Sequence, residues 1–138
     1  MEGRWGRRRV LTIAVGGAAG AGLRWAVLTS VEPGRFPWPV LAVNAIGSVL
    51  LGVLLAEQST HPQGRLLLHD GGAIGFCGGL TTFSTFAVEV VNLARAGDVA
   101  LAALYAAVSL VGAVAGVLCG AGGMRRLRAA GLPVEGTT

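Results

Sequence analysis

Residues 75–86 read GFCGGLTTFSTF, which places glycines, hydroxyl side chains and three phenylalanines in a stretch with uncharged flanks. Gly78 and Gly79 followed by Thr81 and Thr82 make a poor helical sequence. A break there would free backbone carbonyls to coordinate a cation. Phe83 and Phe86 stand i, i+3 and share a helix face. Stacked aromatics are one reading; the other is a pair of rings turned edge-on, whose positive rims can contact an anion. Ser84 and Thr85 add hydroxyl donors beside them. Elsewhere Asn44 offers two N–H donors and one acceptor, enough either to staple helices or to present donors to an anion. Arg24 either snorkels from its helix end or stands as a fixed positive charge facing a water-filled vestibule. Tyr105 and Ser109, i and i+4, form a helix–helix hydrogen bond or a polar track on an otherwise aliphatic helix.

The elements that must position these residues are membrane spans. Hydrophobic residues make up 53% of 138 positions, and the mean hydropathy is +0.66, far from the balance of a water-soluble domain. A bilayer-spanning helix needs roughly 20 mainly apolar residues. Four stretches qualify: 10–31, 38–56, 71–88 (reaching 95 if the helix continues past Val88) and 99–124. Arg24 is the only charge inside them. Pro33, Pro37, Pro62 and most remaining charges fall in the linkers, as surface turns should. The expected architecture is an all-α membrane protein, one membrane domain over residues 1–138, with four transmembrane helices and the third broken near its middle. The first span continues past Arg24 and three more follow, so it reads as a span and not a cleaved signal.

The net charge is +4 and the pI about 10.5. In a soluble protein that would raise nucleic-acid binding. Here every basic residue is arginine and most lie at membrane edges, so orientation is the better reading. Arg4, Arg7, Arg8, Arg9, Arg65, Arg125, Arg126 and Arg128 gather on one side against Arg35 and Arg95 on the other. This predicts both termini in the cytoplasm, with Trp5 and Trp38 as interface anchors. Cys77 and Cys119 fall inside spans and read as small apolar fillers. His61 and His69 sit in a linker as solvated side chains, and no constellation supports an enzyme.

Gly16 with Gly20, Gly71 with Gly75 and Gly79, and Gly112 with Gly116 and Gly120 form small-residue ladders. Helices in lipid associate through such close backbone contact. A chain too thin to enclose a wide cavity is expected to use them against a partner.

GGAAGAGLRW (16–25), VNAIGSVLLG (43–52) and GFCGGLTTFSTF (75–86), in this order and each within its span, resemble the CrcB/Fluc family of fluoride channels over roughly residues 10–123. The resemblance implies a dimer of four-helix subunits inserted in opposite orientations, either two copies of this chain or this chain with a homologous one. It implies two narrow fluoride pathways along the subunit interface and a structural sodium ion between the subunits. On matching positions, Asn44 would donate to fluoride, Phe83 and Phe86 would supply aromatic edges, and Ser84 and Thr85 would support the pathway. Gly78 and Thr81 would turn carbonyls to sodium, Arg24 would sit in the vestibule, and Tyr105 and Ser109 would form part of the polar track. Ala113, the next i+4 position, is apolar and ends that track early.

The expected activity is passive fluoride export across a prokaryotic inner (cytoplasmic) membrane. Two other classes compete. A small multidrug-resistance-like transporter needs a carboxylate in its first helix, and 10–31 has none. A non-transporting assembly subunit accounts for the glycine ladders but leaves Asn44 and residues 83–86 without a purpose. The eight-to-two arginine split departs from a chain that inserts in both orientations. It favours one orientation and a homologous partner inserted the other way.

Overall fold

The computed structural model describes residues 2–32, 34–57 and 61–131, with side chains from Gly6 onward. The anchor expected at Trp5, the Arg4 side chain and the turn residue Pro33 lie outside the described residues. Helix α1 runs Glu2–Ser30. Helix α2 runs Trp38–Ala56 and carries a proline in its first turn, where the missing N–H leaves no helical bond unmade. The third span is composite: one turn, α3, at Pro62–Gly64, a π-helix at Arg65–Cys77, α4 at Gly78–Leu80, then α5 at Phe83–Arg95. A turn through Gly97, whose φ of +87° suits only a residue without Cβ, leads into α6, Val99–Ala129.

Four helical stretches are long and apolar enough to cross a bilayer: Gly6–Ser30, Trp38–Ala56, Pro62–Arg95 and Val99–Ala129. The all-α, four-span architecture with an interrupted third helix is therefore what the chain adopts. One expectation changes. The third helix starts at Pro62, well before residue 71, because His61 Nδ1 caps the Gln63 amide at 3.3 Å and Pro62 opens the first turn. Its interruption lies at Thr81–Thr82, while Gly78 keeps helical angles.

Packing runs from α1 onto the π-helix and α4, from the π-helix onto α2, from α2 onto α6, and from α6 onto α5. The glycine ladders make these contacts within one chain. A Cβ at Gly16 or Gly20 would collide with the carbonyl oxygen of Gly71 or Phe76, and one at Gly79 with that of Gly17. On the other seam, Gly52 meets Val117 and Gly120 meets Val49 in the same way. The ladders thus close the subunit on itself and do not by themselves call for a partner; Gly112 alone of its set opens onto space.

The core comprises Val40, Phe86, Leu93, Ala102 and Tyr105. Most large apolar side chains elsewhere, among them Val15, Trp25, Ile46 and Val111, face outward as lipid-facing residues do. Ion pairs mark the two ends. Arg9 Nε lies 2.9 Å from Asp70, and Arg128 pairs with Glu57, bringing together the start of α1, the start of the third helix and the ends of α2 and α6. At the opposite end Arg35 meets Asp98 at 2.7 and 3.2 Å. His69 is not a solvated loop residue: it stands on the π-helix with Nδ1 2.9 Å from Asp70.

Candidate functional site

Thr81 and Thr82 hold extended angles, φ −77°, ψ 156° and φ −147°, ψ 120°. β-Branched residues favour that conformation, and a threonine hydroxyl can serve the backbone groups that a helix would otherwise pair. The Thr81 amide and Oγ1 both donate to the Cys77 carbonyl, at 3.0 and 2.9 Å, finishing α4. Thr82 Oγ1 accepts from the Thr85 amide at 3.1 Å and so caps α5. It also meets Thr85 Oγ1 at 3.0 Å and Ser84 Oγ at 3.2 Å.

Two other helices hold the interruption open. Asn44 on α2 accepts from the Thr82 amide at 2.8 Å and donates Nδ2 to the Thr82 carbonyl at 3.1 Å. The staple is therefore made, by a bidentate grip on the N–H and C=O of one residue, and it uses one of the two amide hydrogens. Arg24 on α1 reaches across to donate Nη1 to the Thr81 carbonyl at 2.9 Å. Its side chain is half-buried and turned onto the break, so it does not snorkel away from it.

Below the break the aromatic rings form a chain. Phe83 is 75% exposed and Phe86 only 9%, with centroids 5.6 Å apart and planes at 46°. Phe86 meets Tyr105 at 5.6 Å, and Tyr105 meets Phe36 at 5.4 Å, edge to face at 89°. Tyr105 is fully buried and Ser109 nearly so, yet neither Tyr105 Oη nor Ser109 Oγ has a hydrogen-bond partner among the described residues. Buried polar groups are normally satisfied. The two hydroxyls neighbour one another one turn apart on α6 and together extend a polar track along that helix.

Thus Asn44, Arg24, Thr81, Ser84 and Thr85 converge on the break, and Phe83, Phe86 and Tyr105 continue from it through ring contacts. Ser109 lies further along α6, and Gly78 one helical turn before the break. Sequence reasoning placed Thr82 in the break without giving it a role there, and passed over Phe36. An N-cap signal was available for Thr82, a hydroxyl residue just before an apolar helix start; nothing local marks Phe36, whose role is a contact with α6.

The oxygens at the break suit a hard monovalent cation. Gly78 is helical, so its carbonyl would ordinarily accept from the Thr82 amide, but that amide is directed to Asn44. Space beside Gly78 is open, and the Thr81 carbonyl has a second lone pair beyond the one Arg24 uses. Neutral backbone oxygens freed at an unwound helix are the donor set sodium takes in membrane proteins.

Fold and site together define a small multi-span membrane protein with a polar, unwound third helix, the arrangement by which ions are carried across a bilayer. The chain belongs to the CrcB family: the model described as CrcB-like protein, Camphor Resistance (CrcB), matches residues 11–121. A protein of Bordetella bronchiseptica named fluoride-specific ion channel FluC is 41% identical over 105 residues, covering 76% of this chain and 82% of the relative. One of Bordetella petrii with the same name is 40% identical over 118 residues, 86% and 92% of the two chains. A third, from Novosphingobium aromaticivorans, is 40% identical over 121 residues, 82% and 93%.

Proposed function

We propose that this chain is a multi-pass cell-membrane channel selective for fluoride, giving passive export that lowers the toxicity of the ion inside. The observation that carries the reading is the Phe83–Phe86–Tyr105 ring chain that leads from the polar break, where Asn44 grips Thr82, toward the buried Tyr105 and Ser109 hydroxyls, within a member of a family whose relatives are named for fluoride. Hydrogen fluoride crosses membranes uncharged and dissociates inside. An inside-negative potential then drives the trapped anion outward by about 2.3 kcal/mol per 100 mV. A selective pore suffices.

Selectivity requires donors that replace tightly held water in a narrow passage. The free Nδ2 hydrogen of Asn44, the Ser84 and Thr85 hydroxyls and the edges of Phe83 and Phe86 supply them here, followed by Tyr105 and Ser109. Arg24 would draw anions toward the vestibule. The Gly78 and Thr81 carbonyls would hold a structural sodium ion, which supplies fixed positive charge that keeps the interrupted carbonyls together. The working unit would be an antiparallel dimer, the assembly that the resemblance to the CrcB/Fluc family implies.

Fluoride efflux from liposomes holding the purified chain, with valinomycin to clamp the potential and chloride as control anion, tests the reading. Fast fluoride-selective efflux is expected. Asn44→Asp, which keeps the acceptor for the Thr82 amide but loses the Nδ2 donors, is expected to cut it by about 100-fold, on the order of one lost charge-assisted hydrogen bond. Equal fluoride and chloride flux, or no flux even with an oppositely inserted homologue, would overturn it.

A further inference from the structure

The carbonyl end of the third helix already has a cation of its own. Helix C-termini leave carbonyls unpaired and carry a partial negative charge. At this one the Cys77 oxygen takes both the Thr81 amide and hydroxyl, the Gly78 oxygen has lost its ordinary donor to Asn44, and the Thr81 oxygen receives Arg24 Nη1 at 2.9 Å across 57 residues of sequence. Beside Gly78 nothing fills the space. Arg24 comes from a different helix, and this is the only side-chain hydrogen bond recorded for it among the described residues. Its charge is directed at the break.

We propose that the Arg24 guanidinium is a tethered cation of the break: it neutralises the carbonyl end of α4, shares the Thr81 oxygen with a bound alkali cation, and sets the affinity for that cation. The proposal rests on the reading of the break as a cation site and not on which anion is carried. Two consequences follow from charge alone. With Arg24 in place the interruption keeps its shape without metal, because Thr81 is held and Asn44 grips Thr82. And a second cation sharing that carbonyl is opposed by the first through a short distance in a medium of low polarity, so it binds more weakly than it would beside a neutral residue.

The test follows sodium, not fluoride. Thermal unfolding of the full chain in lipid nanodiscs is titrated with sodium chloride against N-methylglucamine chloride at constant ionic strength. Arg24→Gln, neutral but still a donor, is expected to reach half of its sodium-dependent stabilisation at a sodium concentration about tenfold lower than the wild type. Arg24→Lys keeps the charge and is expected to stay within about twofold of the wild type. An unchanged midpoint in Arg24→Gln, or a lysine variant that behaves like glutamine, overturns the proposal. Hydrogen exchange at the Thr82 and Thr85 amides of the wild type needs no variant. Equal protection with and without sodium is expected, and loss of protection on sodium removal overturns it. Failure of fluoride flux would leave each of these readings intact.

Discussion

At the scale of single residues, Phe83 and Phe86 separate roles that their i, i+3 spacing makes look alike. Phe86 is packed against Tyr105 inside the core and Phe83 is three-quarters exposed beside the break. Phe86→Ala therefore removes a buried ring and is expected to cost about 3 kcal/mol of stability. Phe83→Ile leaves unfolding within about 0.5 kcal/mol of wild type, while fluoride efflux is expected to fall by at least about tenfold because the exposed ring edge is lost. Unfolding by intrinsic fluorescence and efflux measured on the same preparations decide the matter. A fall in stability without loss of flux at Phe83 would return it to packing. Asn44 shows the opposite merger: stapling and donation stood as alternatives in the sequence, and the bidentate grip on Thr82 satisfies the first while leaving one N–H for the second.

At the scale of elements, stability lies in two glycine seams, α1 on the third helix and α2 on α6, and in a latch at the end opposite the termini. Gly20→Ala pushes a methyl group into the Phe76 carbonyl, which as backbone cannot move aside, and is expected to lower stability by about 1–3 kcal/mol. Gly112→Ala meets nothing within contact distance and is expected to be neutral or slightly stabilising. Thermal unfolding of the two variants side by side measures the difference. The latch is Arg35 on Asp98, whose hydrogen bond holds the Asp98 carboxyl below its ordinary value of 3.8. A carboxyl lowered on folding contributes stability that is present above its unfolded value and is lost as pH falls through the lowered folded value. As the pH falls below 3.8 and through the lowered folded value, wild-type chain is thus expected to lose stability that Asp98→Asn has already lost, so their unfolding curves converge on acidification. The span count, the interruption and the residues around it were legible because hydropathy, glycine and hydroxyl content are local properties. What escaped was non-local: the winding of Arg65–Cys77, the grip of Asn44 and Arg24 on one strand of backbone, and the burial of Asp70 against Arg9 all depend on which helices meet. The early start of the third helix escaped for a smaller reason, since Pro62 reads equally as a turn residue and as a first helical residue.

At the scale of the whole molecule, the paired charges sharpen the question of orientation. Arg9 and Arg128 are held by Asp70 and Glu57 at the end shared by the termini, yet Arg7, Arg8, Arg65, Arg125 and Arg126 remain exposed there. At the other end Arg35 is latched to Asp98 and Arg95 stands exposed. Orientation follows arginines close to span ends and is little offset by acidic neighbours, so pairing does not erase the bias. A single orientation, termini inward, is expected. The consequence reaches assembly, since an antiparallel pair needs one subunit of each orientation and a fixed chain cannot supply both. In cells such a chain would require an oppositely inserted homologue. Cysteines placed one at a time at Gly6 and Gly34, after Cys77 and Cys119 are replaced by alanine, report the two ends. With a membrane-impermeant maleimide on intact cells, Gly34→Cys is expected to label at once and Gly6→Cys only after the membrane is opened. Equal labelling of both in intact cells would show that the chain inserts both ways, and that two copies of it are enough to build the antiparallel pair.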